Sequence, residues 1–262
     1  MKFLRFFTKT TNNPKTGYFD GEKIIELSDT IENVLKHSED KDYIENQLGA
    51  SYSTEEIMFA PVCEPSKIVC IGLNYKNHAK ELGMELPDEP KIFLKPPSSV
   101  IACYDNIVYP TATNELDYEA ELAIVISKTG KNIDIDEANE YIGGYTIIND
   151  VTARDLQRKD YQWTRAKSFD TFAPIGPFIE TEMNPNNQNI SLSLNDEIKQ
   201  NSNTKNMIFS SEKLVEYISN IMTLNPGDII ATGTPPGVGP MEIGDNVEIA
   251  IESIGSLKNK II

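Results

Sequence analysis

Two glutamates set two residues apart are the first feature of this sequence that could carry chemistry. Glu119 and Glu121 lie in the stretch Leu116–Ser127, whose apolar residues predict a β-strand. Side chains at positions i and i+2 of a strand project from one face, with roughly 6 to 7 Å between their Cα atoms, so both carboxylates can reach one cation. The alternative is a pair that faces water, as most carboxylates do. Beyond Glu121 both faces of the strand are apolar, which favours a buried pair that needs protons or a metal ion.

A third carboxylate follows another predicted strand. Residues 143–150 form an apolar stretch that ends at Asp150. Three carboxylates with several water molecules suit Mg²⁺ or Mn²⁺, because these ions prefer hard oxygen ligands. The alternative role for Asp150 is to cap the helical segment that follows it. In that segment Arg154 and Gln157 lie three positions apart, where both could donate hydrogen bonds to a carboxylate or carbonyl group.

A histidine and a glutamate provide a candidate base. The short helix predicted over Asn77–Leu82 would place His78 and Glu81 on one face, so that the carboxylate orients the imidazole. His78 would then act as a general base toward water. The alternative is an ordinary surface pair. Lys167, in a segment of mixed aromatic and basic residues, is either a surface lysine or a group that stabilises negative charge on an oxygen.

The glycine-rich segment Ile229–Gly239 does not have the features of a nucleotide-binding loop. It has no Gly-Lys-Ser/Thr, and no helical pattern follows it. Its glycines, Gly233 among them, instead favour a close approach of the backbone to a small ligand.

Composition limits the classes of partner. The formal charge of −16 argues against a nucleic-acid partner, because phosphate binding depends on clustered Lys and Arg. No apolar run reaches the roughly 20 residues of a membrane span, and the first residues are too charged for a signal sequence. The three cysteines have neither metal-site nor disulfide spacing, so we predict buried thiols. We therefore expect a cytoplasmic protein without a membrane partner.

The elements that must position these residues fall into two parts. Residues 1–62 predict a small N-terminal α+β appendage, and prolines at 61 and 65 mark its end. Residues 63–262 contain every candidate residue named above and predict the catalytic domain. Many short strands alternate with few, short helices, which predicts a mixed β (α+β) fold.

Six short motifs, taken in order, closely resemble the fumarylacetoacetate hydrolase family. The resemblance is to its short members, which are like acylpyruvate hydrolases and 2-hydroxyhepta-2,4-diene-1,7-dioate isomerases. The motifs are Ile71–His78, Phe93–Pro96, Asp117–Leu122, Asn149–Gln157, Ala166–Phe169 and Gly227–Pro235. The chain departs from some relatives at Pro236, where they carry Lys, and the appendage matches only loosely.

The resemblance implies a β-roll fold like that of the family's C-terminal domain, and a homodimer. It also implies a role for each candidate residue. The metal ligands are Glu119, Glu121 and Asp150; the catalytic residues are His78, Glu81 and Lys167; and the substrate-binding residues are Asn74, Tyr75, Arg154, Gln157, Gly233 and Thr234.

The resulting hypothesis is a divalent-metal-dependent hydrolase that cleaves the carbon–carbon bond of 2,4-dioxo acids (acylpyruvates) through a metal-stabilised pyruvate enolate. The same site would also suit an isomerase, tautomerase or decarboxylase acting on 2-oxo dicarboxylates such as 2-hydroxyhepta-2,4-diene-1,7-dioate or oxaloacetate. A noncatalytic metal-binding scaffold is the alternative from another class. The presence of both His78 and Glu81 argues against it, since binding alone needs no group that activates water.

Overall fold

Short strands dominate the computed structural model, which describes residues 1–262. The strands are β1 (Lys2–Thr8), β2 (Lys15–Phe19), β3 (Ile24–Leu27), β4 (Leu48–Tyr52), β5 (Ile57–Ala60), β6 (Ile68–Ile71), β7 (Ile92–Lys95), β8 (Val100–Ile101), β9 (Asn106–Ile107), β10 (Leu116–Tyr118), β11 (Ala120–Ile126), β12 (Ile142–Asn149), β13 (Thr152–Ala153), β14 (Ala173–Glu180), β15 (Asn189–Leu194), β16 (Glu197–Asn203), β17 (Ile229–Ala231), β18 (Gly239–Met241), β19 (Asn246–Ile251) and β20 (Gly255–Ile261). The α-helices are α1 (Ile31–Lys36), α2 (Lys41–Glu45), α3 (Lys76–Glu81), α4 (Arg154–Lys159), α5 (Thr164–Lys167) and α6 (Ser211–Ile221). This architecture confirms the predicted mixed β fold.

A sheet of 12 strands forms the centre of the molecule. Its order is β4-β3-β2-β1-β14-β12-β11-β17-β6-β7, with β5 on β1 and β8 on β14. The N-terminal strand β1 pairs antiparallel with β14, so the first 60 residues extend the same sheet that carries the candidate ligands. The division at residue 62 stays a prediction, but the two parts share one sheet.

Two smaller sheets complete the fold. One has the order β13-β10-β18, and the other has the order β16-β15-β19-β20-β9. The predicted single strand over Leu116–Ser127 is wrong: β10 belongs to the three-stranded sheet and β11 to the central one, and Glu119 lies between them. The stretch contains no glycine or proline to mark a break, so periodicity alone could not reveal the change of sheet.

Burial explains the pattern of β11. All seven of its residues are buried, because β12 and β17 flank it and apolar clusters cover both faces. The three cysteines are buried free thiols, as predicted. No helix of the structure is both long enough and apolar enough to span a membrane.

Candidate active site

The three carboxylates predicted as metal ligands come together at the end of β11. Glu119 lies at the β10–β11 junction, Glu121 is the second residue of β11, and Asp150 follows β12. One oxygen from each carboxylate lies within 4.8 Å of those of the other two, and all three residues are buried. The Asp150 amide donates to the Glu119 carbonyl oxygen at 2.9 Å, which fixes the end of β12 against the junction.

Two buried lysines face this carboxylate cluster. Lys167 Nζ donates to Glu119 Oε2 at 2.9 Å and to Asp150 Oδ2 at 2.6 Å. Lys95 Nζ donates to Asp150 Oδ1 at 2.5 Å and to the Val151 carbonyl oxygen at 2.9 Å. Burial lowers the pKa of Lys95 and outweighs the attraction of Asp150. Burial acts in the same way on Lys167, but Asp150 and Glu119 outweigh it and hold its pKa above the ordinary value.

Sequence reasoning gave Lys95 no role, although it lies in one of the family motifs. Its local signal is a lysine that ends a short apolar strand before two prolines. That signal does not distinguish a buried lysine from a surface one, because the partner carboxylate is 55 positions away.

Arg154 is the third cation of the cluster. Its Nε donates to Asp117 Oδ2 at 2.7 Å, its Nη2 to Glu119 Oε1, and its Nη1 to Gln157 Oε1 at 2.5 Å. Burial raises the pKa of Glu119, but Lys167 and Arg154 outweigh it and lower that pKa to about 2. Arg154 and Gln157 both line the cavity described below, as predicted, and the Gln157 amide NH₂ has no partner in the protein.

Glu121 has the weakest compensation of the three candidate ligands. Its one protein donor is the Gly233 amide, at 2.7 Å from Oε2. Burial, with the negative charges of Asp150 and Glu119, raises its pKa well above the ordinary range. An anionic Glu121 therefore needs a positive charge that this arrangement of side chains does not supply.

The donor set fits a hard divalent cation. Four carboxylates, those of the three candidate ligands and Asp117, face three cationic side chains, which leaves one negative charge uncompensated. Carboxylate oxygens are the donors that Mg²⁺ and Mn²⁺ prefer. A buried acidic triad with this charge imbalance is suited to hold one such ion.

The predicted base and its orienting carboxylate are in contact. Helix α3 places His78 and Glu81 on one face, with 2.8 Å between Nδ1 and Oε2. The second oxygen of Glu81 accepts a hydrogen bond from the Gly237 amide at 3.2 Å. Since Nδ1 is engaged by the carboxylate, Nε2 is the nitrogen left to act as a base.

His78 and two of the three candidate ligands, Glu119 and Glu121, line one cavity of about 190 Å³. Its polar lining includes Glu119, Glu121, Arg154, Gln157, Lys167 and Thr234. Its apolar lining is Ile71, Leu73, Leu82, Met84, Phe93 and Trp163. This volume is below that of typical drug-sized sites, which favours a small substrate.

An aromatic wall separates this cavity from a larger open depression of about 780 Å³. Phe93 and Trp163 border both, and their rings pack edge to face with centroids 5.2 Å apart. A Cβ at Gly72 would lie 2.9 Å from the Trp163 ring, so this position requires glycine for the wall to close.

Two predicted substrate-binding residues lie behind the cavity wall. Asn74 Nδ2 donates to the carbonyl oxygens of Thr232 and Phe209 at 2.8 and 3.1 Å, and Asn74 Oδ1 accepts from the Phe209 amide at 2.7 Å. Tyr75 is fully buried, and its hydroxyl has no hydrogen-bond partner. Neither side chain lines the cavity, so Asn74 holds two loops together here and Tyr75 makes no contact with the open space.

The segment Ile229–Gly239, here called the glycine loop, contains the predicted substrate-binding residues Gly233 and Thr234. Gly233 has φ +98°, and a Cβ there would lie 2.8 Å from Asn74 Cβ. Its amide therefore reaches Glu121 directly, which is the close backbone approach that the glycine pattern predicted. Thr234, the next residue, lines the cavity.

This fold and this site define an enzyme of the fumarylacetoacetate hydrolase type. Residues 67–262 match the family described as fumarylacetoacetate (FAA) hydrolase C-terminal. The chain therefore belongs to the fumarylacetoacetate hydrolase family.

Relatives within the family carry out different reactions. The chain is 42% identical over 228 residues to the mitochondrial oxaloacetate tautomerase FAHD2A of Bos taurus, and the matched region covers 82% of this chain and 73% of the relative. The structure of this chain superimposes on that of 5-carboxymethyl-2-hydroxymuconate delta-isomerase from Mycobacterium smegmatis with a TM-score of 0.87 and 37% sequence identity, over 100% of this chain and 98% of the other. It superimposes on a maleylpyruvate hydrolase from Sphingobium sp. SYK-6, solved with manganese(II) and pyruvate, with a TM-score of 0.85 and 28% sequence identity, over 100% of this chain and 99% of the other.

Proposed function

We propose that this protein is a divalent-metal-dependent enzyme that cleaves the carbon–carbon bond of a small acylpyruvate. The observation that carries the proposal is that Glu119 and Glu121 of the acidic cluster line one cavity with His78, whose Nδ1 is held by Glu81. A metal-binding scaffold would need the carboxylates but not the His78–Glu81 pair. The cavity volume favours a short acid, and a bound divalent ion would more than offset the one uncompensated negative charge, which favours an anionic substrate.

Glu119, Glu121 and Asp150 would hold the metal, and Mg²⁺ and Mn²⁺ are the ions that their oxygens suit. When bound, the ion would supply a Lewis acid for the oxygens of a 2-oxo acid. The relative solved with manganese(II) and pyruvate supports this choice of ion and ligand.

The protein's own residues would perform the proton transfers. His78 Nε2, with Nδ1 held by Glu81, takes a proton from water, whose oxygen attacks the distal carbonyl carbon of the substrate. The carbon–carbon bond then breaks as the attacked carbon becomes that of a carboxylic acid, and the electron pair of the bond leaves with pyruvate as the enolate. The enolate carbon takes the proton held by His78, which gives pyruvate. Lys167 lies beside the acidic cluster, where its charge would stabilise the enolate oxygen.

Keto–enol tautomerisation of oxaloacetate is the second candidate. The observation that favours it is the 42% identity to an oxaloacetate tautomerase. Here His78 would move a proton between carbon and oxygen of the substrate, and no bond to water would form. The metal ligands alone do not distinguish hydrolysis from tautomerisation, because both reactions develop negative charge on the same oxygen.

A substrate panel tests both candidates. Acetylpyruvate, fumarylpyruvate and oxaloacetate are each incubated with the protein and Mg²⁺ or Mn²⁺, with and without EDTA. We expect EDTA-sensitive formation of pyruvate and a carboxylic acid from an acylpyruvate. EDTA-sensitive loss of the enol absorbance of oxaloacetate alone would assign the tautomerase, and pyruvate with CO₂ from oxaloacetate would assign a decarboxylase. Metal binding without any of these reactions would contradict the proposal and leave the scaffold.

We also propose that the protein acts as a homodimer, as the family resemblance implies. Sedimentation equilibrium of the full chain should give twice the 29.3 kDa mass of one chain. A single species of that monomer mass would contradict it.

A further inference from the structure

Gln200 is a fully buried glutamine on β16, a strand outside the central sheet. Its Oε1 accepts a hydrogen bond from the Ala120 amide at 3.0 Å. Its Nε2 donates to Thr234 Oγ1 at 2.9 Å and to the Pro235 carbonyl oxygen at 2.8 Å. Both amide hydrogens and the oxygen of this side chain are therefore used, and it does not line the cavity.

These three contacts join the two backbone segments that position Glu121. Ala120 lies in the chain immediately before Glu121. Thr234 immediately follows Gly233, whose amide is the one protein donor to the Glu121 carboxylate. One carboxamide thus ties the strand that carries a candidate ligand to the loop that orients it.

Other hydrogen bonds hold the glycine loop just before Gly233. Thr232 bonds to the Leu122 carbonyl oxygen through its amide and its hydroxyl, at 3.0 and 2.9 Å, and its own carbonyl oxygen accepts from Asn74 Nδ2 at 2.8 Å. Beyond Thr232 the chain turns away at Gly233, in the left-handed region. After the hydrogen bond from the Gly233 amide to Glu121, Gln200 provides the next side-chain hydrogen bonds along the loop, at Thr234 and Pro235.

The same strand also limits the far end of the loop. A Cβ at Gly237 would lie 2.3 Å from the Lys199 carbonyl oxygen, so the loop backbone packs directly on β16. The Gly237 amide in turn donates to Glu81, the carboxylate that orients His78. Strand β16 therefore supports the loop that runs from the acidic cluster to the His78–Glu81 pair.

We propose that Gln200 is a positioning residue for the metal site: it holds the Gly233–Pro235 loop so that the Gly233 amide orients Glu121. This inference rests on the proposed metal-dependent function. Loss of the carboxamide would leave three buried polar groups without partners, and the Gly233 amide would no longer be fixed toward Glu121. Groups that orient metal ligands typically contribute about 10- to 100-fold to metal affinity.

The test compares Gln200→Met with a matched control. Gln188 is another buried glutamine whose carboxamide joins two loops: it donates to the Asn184 carbonyl oxygen at 2.9 Å and accepts from the Ser253 amide at 3.2 Å. We would measure Mn²⁺ affinity of the metal-free full-length proteins by titration calorimetry, and their stability by urea unfolding in EDTA. We expect Gln200→Met to bind Mn²⁺ about 10- to 100-fold more weakly, and Gln188→Met to bind it as the unmutated protein does, although both lose stability.

The outcomes separate this inference from the proposed function. Mn²⁺ affinity of Gln200→Met within about threefold of the unmutated protein, or an equal loss in Gln188→Met, would overturn the role of Gln200. No Mn²⁺ binding by the unmutated protein would instead overturn the proposed function.

A second variant decides the question if Gln200→Met does not fold. Thr234→Val removes one of the three contacts and keeps the glutamine. We expect Mn²⁺ affinity to fall by about 2- to 10-fold, the value of one hydrogen bond. An unchanged affinity would then overturn the proposal.

Discussion

Lys95→Met removes a buried positive charge while conserving most of the side-chain volume. In the structure Lys95 is 1% exposed, and its Nζ donates to Asp150 Oδ1 at 2.5 Å and to the Val151 carbonyl oxygen at 2.9 Å. The substitution leaves both acceptors buried, and Asp150 keeps only Lys167 as a side-chain donor. Removing one partner of a buried ion pair costs about 3–5 kcal/mol. Because Lys167 remains, we expect the lower end of that range, about 3 kcal/mol.

Lys67→Met is the matched control. Lys67 also pairs with a fully buried carboxylate, that of Asp228, but it lies outside the acidic cluster. Asp228 keeps four other donors, from the Ser66 amide and hydroxyl and the amides of Lys67 and Asn225. We therefore expect this variant to lose only about 1 kcal/mol.

Urea unfolding in EDTA, followed by circular dichroism, measures both losses. Added Mn²⁺ provides a second measurement, since a cluster with one cation fewer should attract the ion more strongly. We expect saturating Mn²⁺ to raise the midpoint of Lys95→Met by more than that of the unmutated protein. A loss in Lys95→Met no larger than in Lys67→Met, with equal responses to Mn²⁺, would refute the assignment of Lys95 to the charge balance of the cluster.

Three further predictions follow from the site and the surface. Glu119→Gln should abolish both Mn²⁺ binding in calorimetry and EDTA-sensitive turnover, and unchanged activity would contradict its role as a ligand. His78→Ala should keep the Mn²⁺ affinity within about threefold but lower kcat by about 10²- to 10⁴-fold, the contribution of a general base; equal loss of both would mean another role. Burial raises the pKa of Glu26, but hydrogen bonds from Lys15 and Tyr52 outweigh it and lower that pKa. Stability from this pair is therefore present above the unfolded pKa and lost as pH falls through the folded pKa. Glu26→Gln should lower the unfolding free energy by about 0.5 kcal/mol at pH 7 and by progressively less as the pH is lowered through the acidic range, in urea titrations at several pH values.

Local periodicity predicted two pairs of residues that meet in the candidate site. The spacing of His78 and Glu81 determines that they share one face of a helical turn, and the structure shows their contact at 2.8 Å. The convergence of Glu119 and Glu121 was also predicted, although for a reason that is only partly right. Glu119 lies at the junction of two strands rather than within one, yet its carboxylate still meets that of Glu121.

The roles of several polar residues depended on contacts far along the chain. Arg154 was predicted to bind substrate, and in the structure its guanidinium contacts Asp117, Glu119 and Gln157. Asn74 was also predicted to bind substrate, and its amide is instead used by the backbone of two loops. A sequence pattern indicates that a residue can donate hydrogen bonds, but it does not indicate which distant acceptor is nearest.

The sequence by itself determined the donor types, the helix and strand periodicities and the family. Only the tertiary structure decided which charges are buried together and what balances them. Lys95 and Gln200 show the reason: they meet the site across 55 and 80 positions of the chain, from different sheets. In the sequence both are polar residues of strands, and only the packing of those strands removes them from water. Lys95 then contacts the acidic cluster directly, and Gln200 contacts the backbone beside it.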